Sequence, residues 1–173
     1  ISGSLERLRN MECWEKEKGR VKFIWWDLKS PINQLTSTQI GQVDYIYHLA
    51  ASSHVDRSIE DPMSFVMDNV VGTCNILNYV RTVKDLQLFI YFSTDEVFGP
   101  APEGVAYKEF DRYNSGNPYA ASKAGGEELA VAFANTYKLP IIVTHTMNVM
   151  GERQHPEKFI PMAIRKILAG ETL

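Results

Sequence analysis

The feature that most constrains this chain is a repeated switch between short apolar runs and longer helical patterns. Four runs are rich in β-branched and aromatic residues, are bounded by turn residues and are apolar almost throughout: residues 21–26, 44–50, 86–94 and 140–146. Strands that are covered on both faces of a parallel sheet show this pattern, whereas half-exposed strands alternate. The four runs therefore predict parallel β-strands.

Helical patterns lie between these runs, at roughly 4–18, 61–83, 118–138 and 159–169, with a short helix expected after Pro31. Asp61 and Pro62 suit an N-cap and a first helical position, and Gly19 and Gly170 suit helix ends. Alternation of strand and helix predicts a doubly wound parallel α/β sheet. The stretch 99–117 is the longest irregular one, and loops of that length are more often functional than accidental.

Composition argues against several classes of function. Eighteen Lys and Arg against 21 Asp and Glu give a net charge of −3, with no basic run, so we expect no binding to nucleic acid or to an anionic membrane. The longest apolar stretches, such as residues 128–134, are shorter than the roughly 18 residues that a membrane span needs. Cys13 and Cys74 are too few for a disulfide framework and predict reduced thiols in a cytoplasmic protein.

Small or polar residues follow the ends of all four predicted strands. They are found at 27–28, 48–54, 93–99 and 146–151. In a parallel sheet the carboxyl ends of the strands meet at one edge, and ligands bind outside that edge. One polar cluster of this kind is usually a turn or a helix cap, but four at one edge indicate a binding site.

Tyr119 and Lys123 lie at the start of the helix that follows the long irregular stretch. Their i, i+4 spacing places both side chains on one helix face. A lysine ammonium beside a tyrosine favours the phenolate and lowers the pKa of the tyrosine toward the range of a general base. The spacing alone is a weak signal, because an ordinary helix with a packed Tyr and a solvated Lys shows it too.

Four motifs strengthen the interpretation of Tyr119 and Lys123 as an active-site pair: HLAASSHVDRSI at 48–59, STDEVFG at 93–99, NPYAASK at 117–123 and HPEKFIP at 155–161. In this order and at these separations the chain resembles the extended short-chain dehydrogenases/reductases that act on nucleotide sugars, and within them the nucleotide-hexose 4,6-dehydratases. The resemblance implies a Rossmann-type fold and NAD as the cofactor. It also implies a nucleotide-diphosphate sugar as the substrate, a homodimer, and no metal ion.

The resemblance also implies roles for five candidate catalytic residues. Tyr119 would take the proton of the sugar 4-hydroxyl, and Lys123 would lower the pKa of Tyr119 and hold the nicotinamide ribose. Glu96 would remove the C5 proton, Asp95 would protonate the departing 6-hydroxyl, and Thr94 would hydrogen-bond the 4-oxygen. Adjacent carboxyl groups suit this task, because they push each other's pKa values apart and so one can act as the acid and the other as the base.

Further residues match the family's binding positions. Tyr119 and Lys123 are also expected to contact the cofactor, together with Asp27, Leu28, Leu49, Ala50, Ala51 and Ser53. Ser53 and Thr94 are expected to contact the substrate as well, together with Asn148, Lys158, Phe159, Ile160 and Pro161. Asp27 also suits a cap of the turn before Pro31, although the cofactor role is favoured, and Lys158 suits a solvated surface lysine nearly as well.

One family feature has no counterpart in the sequence. None of the 11 glycines belongs to a Gly-rich strand-to-helix turn of the kind that holds a pyrophosphate. Together with a start at Ile1 rather than Met and an end within a helical pattern, this predicts an internal piece of a larger enzyme. Residues 1–154 would form a partial NAD-binding domain that lacks its first strands, and residues 155–173 would begin the nucleotide-sugar domain.

The chain also departs from the family's usual residues at 52, 98, 145, 149 and 152–153, so the choice of substrate stays open. Two alternatives to a dehydratase remain. A 4-epimerase uses the same Tyr and Lys without needing the Asp95-Glu96 pair, and an inactive fragment or interaction module fits the absent glycine turn. Phe65, Val66, Val70, Leu77 and Val80 fit a dimer interface, and they equally fit burial against the chain's own sheet.

Overall fold

The structure is a computed structural model that describes residues 5–173. Its central element is a three-stranded parallel sheet in the order β1-β2-β3, formed by Tyr45–His48, Leu88–Thr94 and Ile141–Thr146. The register pairs His48 with Tyr91 and Thr94 with Thr146. Three of the four predicted strands and the parallel α/β class are thereby confirmed.

The fourth predicted strand, residues 21–26, is wrong. This segment has no regular secondary structure and joins no ladder of the sheet. Apolar content alone does not make a strand, because each strand needs a neighbour to satisfy its backbone N–H and C=O groups. Several of its side chains are exposed, Trp25 most of all, with 77% of its surface accessible.

The helices are α1 (Leu5–Arg9), α2 (Trp14–Glu17), α3 (Gln34–Ile40), α4 (Val55–Glu60), α5 (Pro62–Phe65), α6 (Gly72–Val80), α7 (Pro118–Tyr137) and α8 (Phe159–Leu168). Short 3₁₀ turns span Lys18–Arg20 and Asp95–Phe98. The single helix expected at 4–18 is two short helices in the described part, and its first residue lies outside the described residues. In that part of the chain, no helix is both long and apolar enough to cross a membrane.

The long helix expected at 61–83 contains a π-helical turn, Val66–Val71, between α5 and α6. As predicted, Asp61 caps this helix, with its carboxylate accepting a hydrogen bond from the Ser64 amide, and Pro62 occupies the first turn. A π turn widens the helix by one residue and commonly occurs at functional sites. Here the turn carries Asn69, which is 1% exposed.

Two compact units divide the chain. The first combines the segment that ends at Phe23 with Asn148–Leu173, and it contains α8. The second, Ile24–Met147, contains the sheet, and its core consists of Leu77 and Val80 of α6, Phe89 and Tyr91 of β2, and Ala130 of α7. Because Phe89 and Tyr91 share one face of β2, α6 and α7 cover the same face of the sheet. The opposite face keeps Tyr45, Tyr47 and Ile142 exposed.

Candidate active site

The carboxyl end of β2 forms the centre of the candidate site. β2 ends at Thr94, and the 3₁₀ turn Asp95–Phe98 follows at once. The Thr94 hydroxyl accepts a hydrogen bond from the Glu96 amide at 3.3 Å and lies 3.4 Å from the Asp95 carboxylate. Thr94 therefore acts as the cap that orients the two adjacent carboxyl groups.

Asn117 connects this turn to α7. Its side-chain oxygen caps α7 by accepting from the Ala120 amide at 2.8 Å, and its side-chain nitrogen donates to the Glu96 carboxylate at 3.1 Å. Sequence analysis assigned Asn117 no role. The sequence did indicate its role as a helix cap, because Asn followed by Pro is a favoured helix start.

Tyr119 lies in the first turn of α7 and is half-buried, with its ring edge-on to Phe65 at 6.4 Å between centroids. Its side chain is hydrogen-bonded to Thr94, so the tyrosine oxygen lies beside the turn that carries the carboxyl groups. Burial raises the pKa of Tyr119, and the negative charges of Glu96 and Asp95 add to this effect, while the Thr94 hydrogen bond acts against it.

This direction is opposite to the one expected from the sequence, where Lys123 was to lower the pKa of Tyr119. The reason is the position of the ammonium group. Lys123 is 4% exposed, and its Nζ donates to the backbone carbonyl of Phe92 at 2.6 Å and lies 4.3 Å from the centre of the Tyr91 ring. Burial lowers the pKa of Lys123 to about 8, with the Glu127 carboxylate opposing this shift.

A buried polar network supports the site from the π-helical turn. Asn69 donates to the Ser52 carbonyl and to the Ser122 hydroxyl, both at 2.9 Å, and accepts from the Ser52 amide at 2.9 Å. Its own carbonyl accepts from Thr73 at 2.6 Å. One side chain therefore links the loop after β1 to α7, three residues after Tyr119. Sequence analysis missed Asn69, although a lone Asn within an apolar helical stretch was a usable signal.

Close helix packing makes this network possible. A Cβ on Gly126 of α7 would lie 2.7 Å from the Asn69 carbonyl oxygen and 3.2 Å from the Thr73 hydroxyl, and it would also collide with the Tyr91 hydroxyl. Only glycine allows the backbones to approach this closely. The Tyr91 hydroxyl in turn donates to the Lys123 carbonyl at 3.1 Å, which fixes the first turns of α7 on β2.

The loop after β1 carries half of the predicted cofactor residues. Leu49, Ala50, Ala51 and Ser53 are exposed at the carboxyl end of the strand. Before β1, the Asp27 carboxylate is exposed and accepts from the Lys29 amide at 3.0 Å, as a turn cap does. The Leu28 carbonyl accepts from Asn75 at 2.8 Å. An exposed carboxylate, small side chains and the Lys123 ammonium form a donor and acceptor set that fits the hydroxyl groups and the flat bases of a dinucleotide.

The remaining predicted substrate residues lie in the other compact unit. Asn148 is exposed there, and Lys158 directly precedes α8 and is half-buried. Phe159 and Ile160 open α8 with exposed side chains, and Pro161 follows, half-buried. Their assignment to the substrate stays a prediction.

Burial also bears on the residues considered for a dimer interface. Leu77 and Val80 are fully buried, and Phe65 is 4% exposed, so these three pack within the chain itself. Val66 is 40% exposed. The homodimer stays a prediction.

Comparison with known proteins gives consistent results. The family model for GDP-mannose 4,6 dehydratase matches residues 2–173. A dTDP-glucose 4,6-dehydratase of Xanthomonas campestris pv. campestris is 44% identical over 143 residues, which cover 78% of this chain and 41% of the relative.

Two solved structures extend the comparison. DesIV of Streptomyces venezuelae, a dTDP-glucose 4,6-dehydratase with NAD and TYD bound, superposes with a TM-score of 0.80 at 38% identity, covering 89% of this chain and 47% of DesIV. A UDP-glucuronic acid 4-epimerase of Bacillus cereus with UDP-glucuronic acid and NAD gives 0.83 at 27% identity, covering all of this chain and 54% of the epimerase. The chain thus spans about half the length of the proteins it matches, and it belongs to the NAD-dependent epimerase/dehydratase family of extended short-chain dehydrogenases/reductases.

Proposed function

We propose that this chain carries the catalytic segment of an NAD-dependent nucleotide-sugar 4,6-dehydratase, with dTDP-glucose as the substrate and dTDP-4-keto-6-deoxyglucose and water as the products. One observation carries the proposal: adjacent carboxyl groups, Asp95 and Glu96, are held by Thr94 and Asn117 beside Tyr119. A dehydratase needs both an acid and a base next to the tyrosine. The 44% identity to a dTDP-glucose 4,6-dehydratase supports the same assignment.

When bound, NAD would supply the redox chemistry, as the acceptor of a hydride from the sugar and its donor later in the same turnover. The residues that would hold it are Lys123, the exposed loop residues Leu49 to Ala51 and Ser53, and the Asp27-Leu28 pair. Solved relatives that carry NAD support this assignment. Lys123 would hold the nicotinamide ribose through its ammonium group.

The chain's own residues would move the protons. Tyr119 takes the proton of the 4-hydroxyl as the C4 ketone forms, and its high pKa in the structure means that substrate and cofactor must favour the phenolate. The ketone acidifies the C5–H bond, and Glu96 takes that proton. Asp95 gives a proton to the 6-hydroxyl, which leaves as water, while Thr94 hydrogen-bonds the 4-oxygen.

A 4-epimerase is the second candidate, supported by the 0.83 superposition on the Bacillus cereus enzyme. The mass of the product separates the two reactions. A protein that contains this segment and turns over dTDP-glucose is incubated with NAD, and the product is analysed by mass spectrometry. A product that has lost one water supports the dehydratase, and a product of unchanged mass contradicts it.

Binding of NAD to the 173-residue chain alone tests the third alternative, an inactive module. Because the chain contains no Gly-rich turn for the pyrophosphate, we expect weak binding or none by calorimetry. Tight binding would show that the pyrophosphate is held without such a turn. The domain boundary at 154–155 remains part of this proposal.

A further inference from the structure

A buried cluster of one carboxylate, one tyrosine and one histidine lies behind the candidate site, on the side of α7 that faces the sheet. Glu127 is 2% exposed and lies one helical turn after Lys123, so both side chains are on the same face of α7. The Tyr113 hydroxyl donates to Glu127 Oε1, and Nε2 of His145 on β3 lies 2.8 Å from the same oxygen. A carboxylate this deeply buried is costly unless it has partners, so it needs a physical reason.

The cluster also contacts the turn that carries the candidate acid and base. The Phe98 ring ends the Asp95–Phe98 turn and packs on His145 at 4.7 Å and on Tyr113 at 5.4 Å between centroids. The backbone amide of Asn114, next to Tyr113, donates to the Val97 carbonyl at 2.9 Å. Tyr113 therefore contacts the Glu127 carboxylate and the turn Asp95–Phe98 at the same time, and His145 lies against both of them.

The second oxygen of Glu127, Oε2, is buried and makes no hydrogen bond among residues 5–173. Nε2 of His145 likewise makes no hydrogen bond there, so Tyr113 is the one hydrogen-bond donor to this carboxylate among the same residues. Burial strengthens the effect of such a charge on its neighbours. Lys123 is the buried cation one turn earlier on the same helix face. The Glu127 charge raises the pKa of Lys123 and so opposes the effect of burial.

We propose that Glu127 is a positioning residue of this site: its buried carboxylate accepts from Tyr113, lies one helical turn from Lys123 on the same face of α7, and through its negative charge holds the Lys123 ammonium at the carboxyl end of β2. This inference rests on the proposed function, because a charged Lys123 is what a contact with the nicotinamide ribose requires. Glu127 neither touches the substrate nor moves a proton itself.

The other titratable groups around Lys123 do not supply this charge. Facing Lys123 or Glu127 are His48 of β1, Tyr91 of β2, Tyr119 of α7, His145 of β3 and Tyr113 of the irregular segment. His48 is held neutral near pH 7, because burial and the Lys123 charge lower its pKa to about 4. Asp95 and Glu96 act on Tyr119. Glu127 is thus the buried carboxylate that acts directly on Lys123.

The Glu127 charge affects the fraction of molecules in which Lys123 is protonated at pH 7. With a pKa of about 8, Lys123 is about nine-tenths protonated at pH 7. Removal of an opposite charge at close range lowers the pKa of a lysine by roughly one unit or more. Without the Glu127 charge, a smaller fraction of the molecules would carry the ammonium at pH 7.

The test is an NMR titration of the lysine Cε carbons in the 173-residue chain, with the Lys123 signal assigned by its loss in Lys123→Met. Glu127→Gln keeps the shape and the hydrogen bond from Tyr113 but removes the charge, and we expect it to lower the pKa of Lys123 by roughly one unit. Glu128→Gln is the matched control, because Glu128 is the next residue on α7 and is exposed. We expect this control to leave the pKa of Lys123 unchanged.

A pKa shift in Glu127→Gln that is no larger than the shift in Glu128→Gln overturns the proposal. Circular dichroism reports whether the variants fold. If Glu127→Gln is unstable, the titrations of all three proteins are repeated in sucrose, which favours the folded state. The titration needs neither NAD nor turnover, so its result is separate from the product assay that tests the dehydratase.

Discussion

The side chain of Lys123 donates its hydrogen bond to the backbone carbonyl of Phe92, with 2.6 Å between Nζ and O. Phe92 lies two residues before Thr94 on β2, so this bond attaches the first turns of α7 to the end of the strand. The Tyr91 hydroxyl bonds back to the Lys123 carbonyl at 3.1 Å. Together the two bonds fix the distance between the helix that carries Tyr119 and the turn that carries Asp95 and Glu96.

Burial of Lys123 makes stability depend on pH. Its pKa falls from 10.5 to about 8 on folding, so the unfolded chain binds more protons between these values and the free energy of unfolding rises with pH in that window. From pH 7.5 to 9.5 the gain from this group is about 2 kcal/mol. Urea unfolding at both pH values should show this rise, and Lys123→Met should lose it. The exposed control Lys84→Met should keep it, and an equal loss in both variants would contradict the assignment.

The acid role of Asp95 predicts a specific block. In a protein that contains this segment and turns over dTDP-glucose, Asp95→Asn should oxidise C4 but expel water at least about 100-fold more slowly, because the amide cannot protonate the 6-hydroxyl. Rapid-quench mass spectrometry should then detect the 4-keto hexose that retains its 6-hydroxyl. Glu103→Gln, an exposed residue in the irregular segment, is the control. Formation of the 6-deoxy product at the full rate by Asp95→Asn would rule out this role.

Gly126 and Gly125 offer a matched pair on one helix. Gly126→Ala should destabilise the chain by about 1–3 kcal/mol, because the added methyl meets backbone at 2.7 Å and the buried Thr73 hydroxyl at 3.2 Å. Gly125→Ala meets only the two methyls of Val70, at 3.2 and 3.9 Å, and the better helix propensity of Ala, about 1 kcal/mol, offsets those contacts. Urea unfolding of both variants is the measurement, and equal losses would contradict the packing argument.

Asn69 should be sensitive to the loss of its amide group. Asn69→Asp keeps the acceptor for the Ser52 amide but removes the donors to the Ser52 carbonyl and Ser122, and it places a charge beside a carbonyl in a buried position. We expect a loss of about 2–3 kcal/mol of unfolding free energy. The exposed Asn78→Asp on α6 should change stability by less than about 0.5 kcal/mol. Similar losses in the two variants would show that Asn69 is not a structural link.

The sequence predicts the parts of this molecule that depend on local pattern. Periodicity predicts three of the strands and the helix at 118–138. The motifs at the strand ends predict that four site residues lie together: Thr94, Asp95, Glu96 and Tyr119. The segment 21–26 has the same apolar pattern as a strand, but strand formation depends on a pairing partner, which composition does not reveal.

The pKa shifts of Tyr119 and Lys123 could not be predicted from their spacing in the sequence. An i, i+4 pair shares a helix face, but the direction of each side chain depends on what the rest of the fold offers. For Lys123 the Phe92 carbonyl is the partner that the structure provides. The Asn69 network was missed for a related reason, because it joins residues 17 and 53 positions apart in the chain.

The π-helical turn Val66–Val71 has a consequence for comparing this chain with its relatives. A π turn adds one residue to a helix, so the helix faces before and after it are rotated by about 100° relative to an uninterrupted α-helix. A relative with one residue fewer between Phe65 and Gly72 would form a regular helix and turn its counterpart of Asn69 away from Ser122. Single-residue gaps in alignments at this position therefore indicate a change in how the loop after β1 is held.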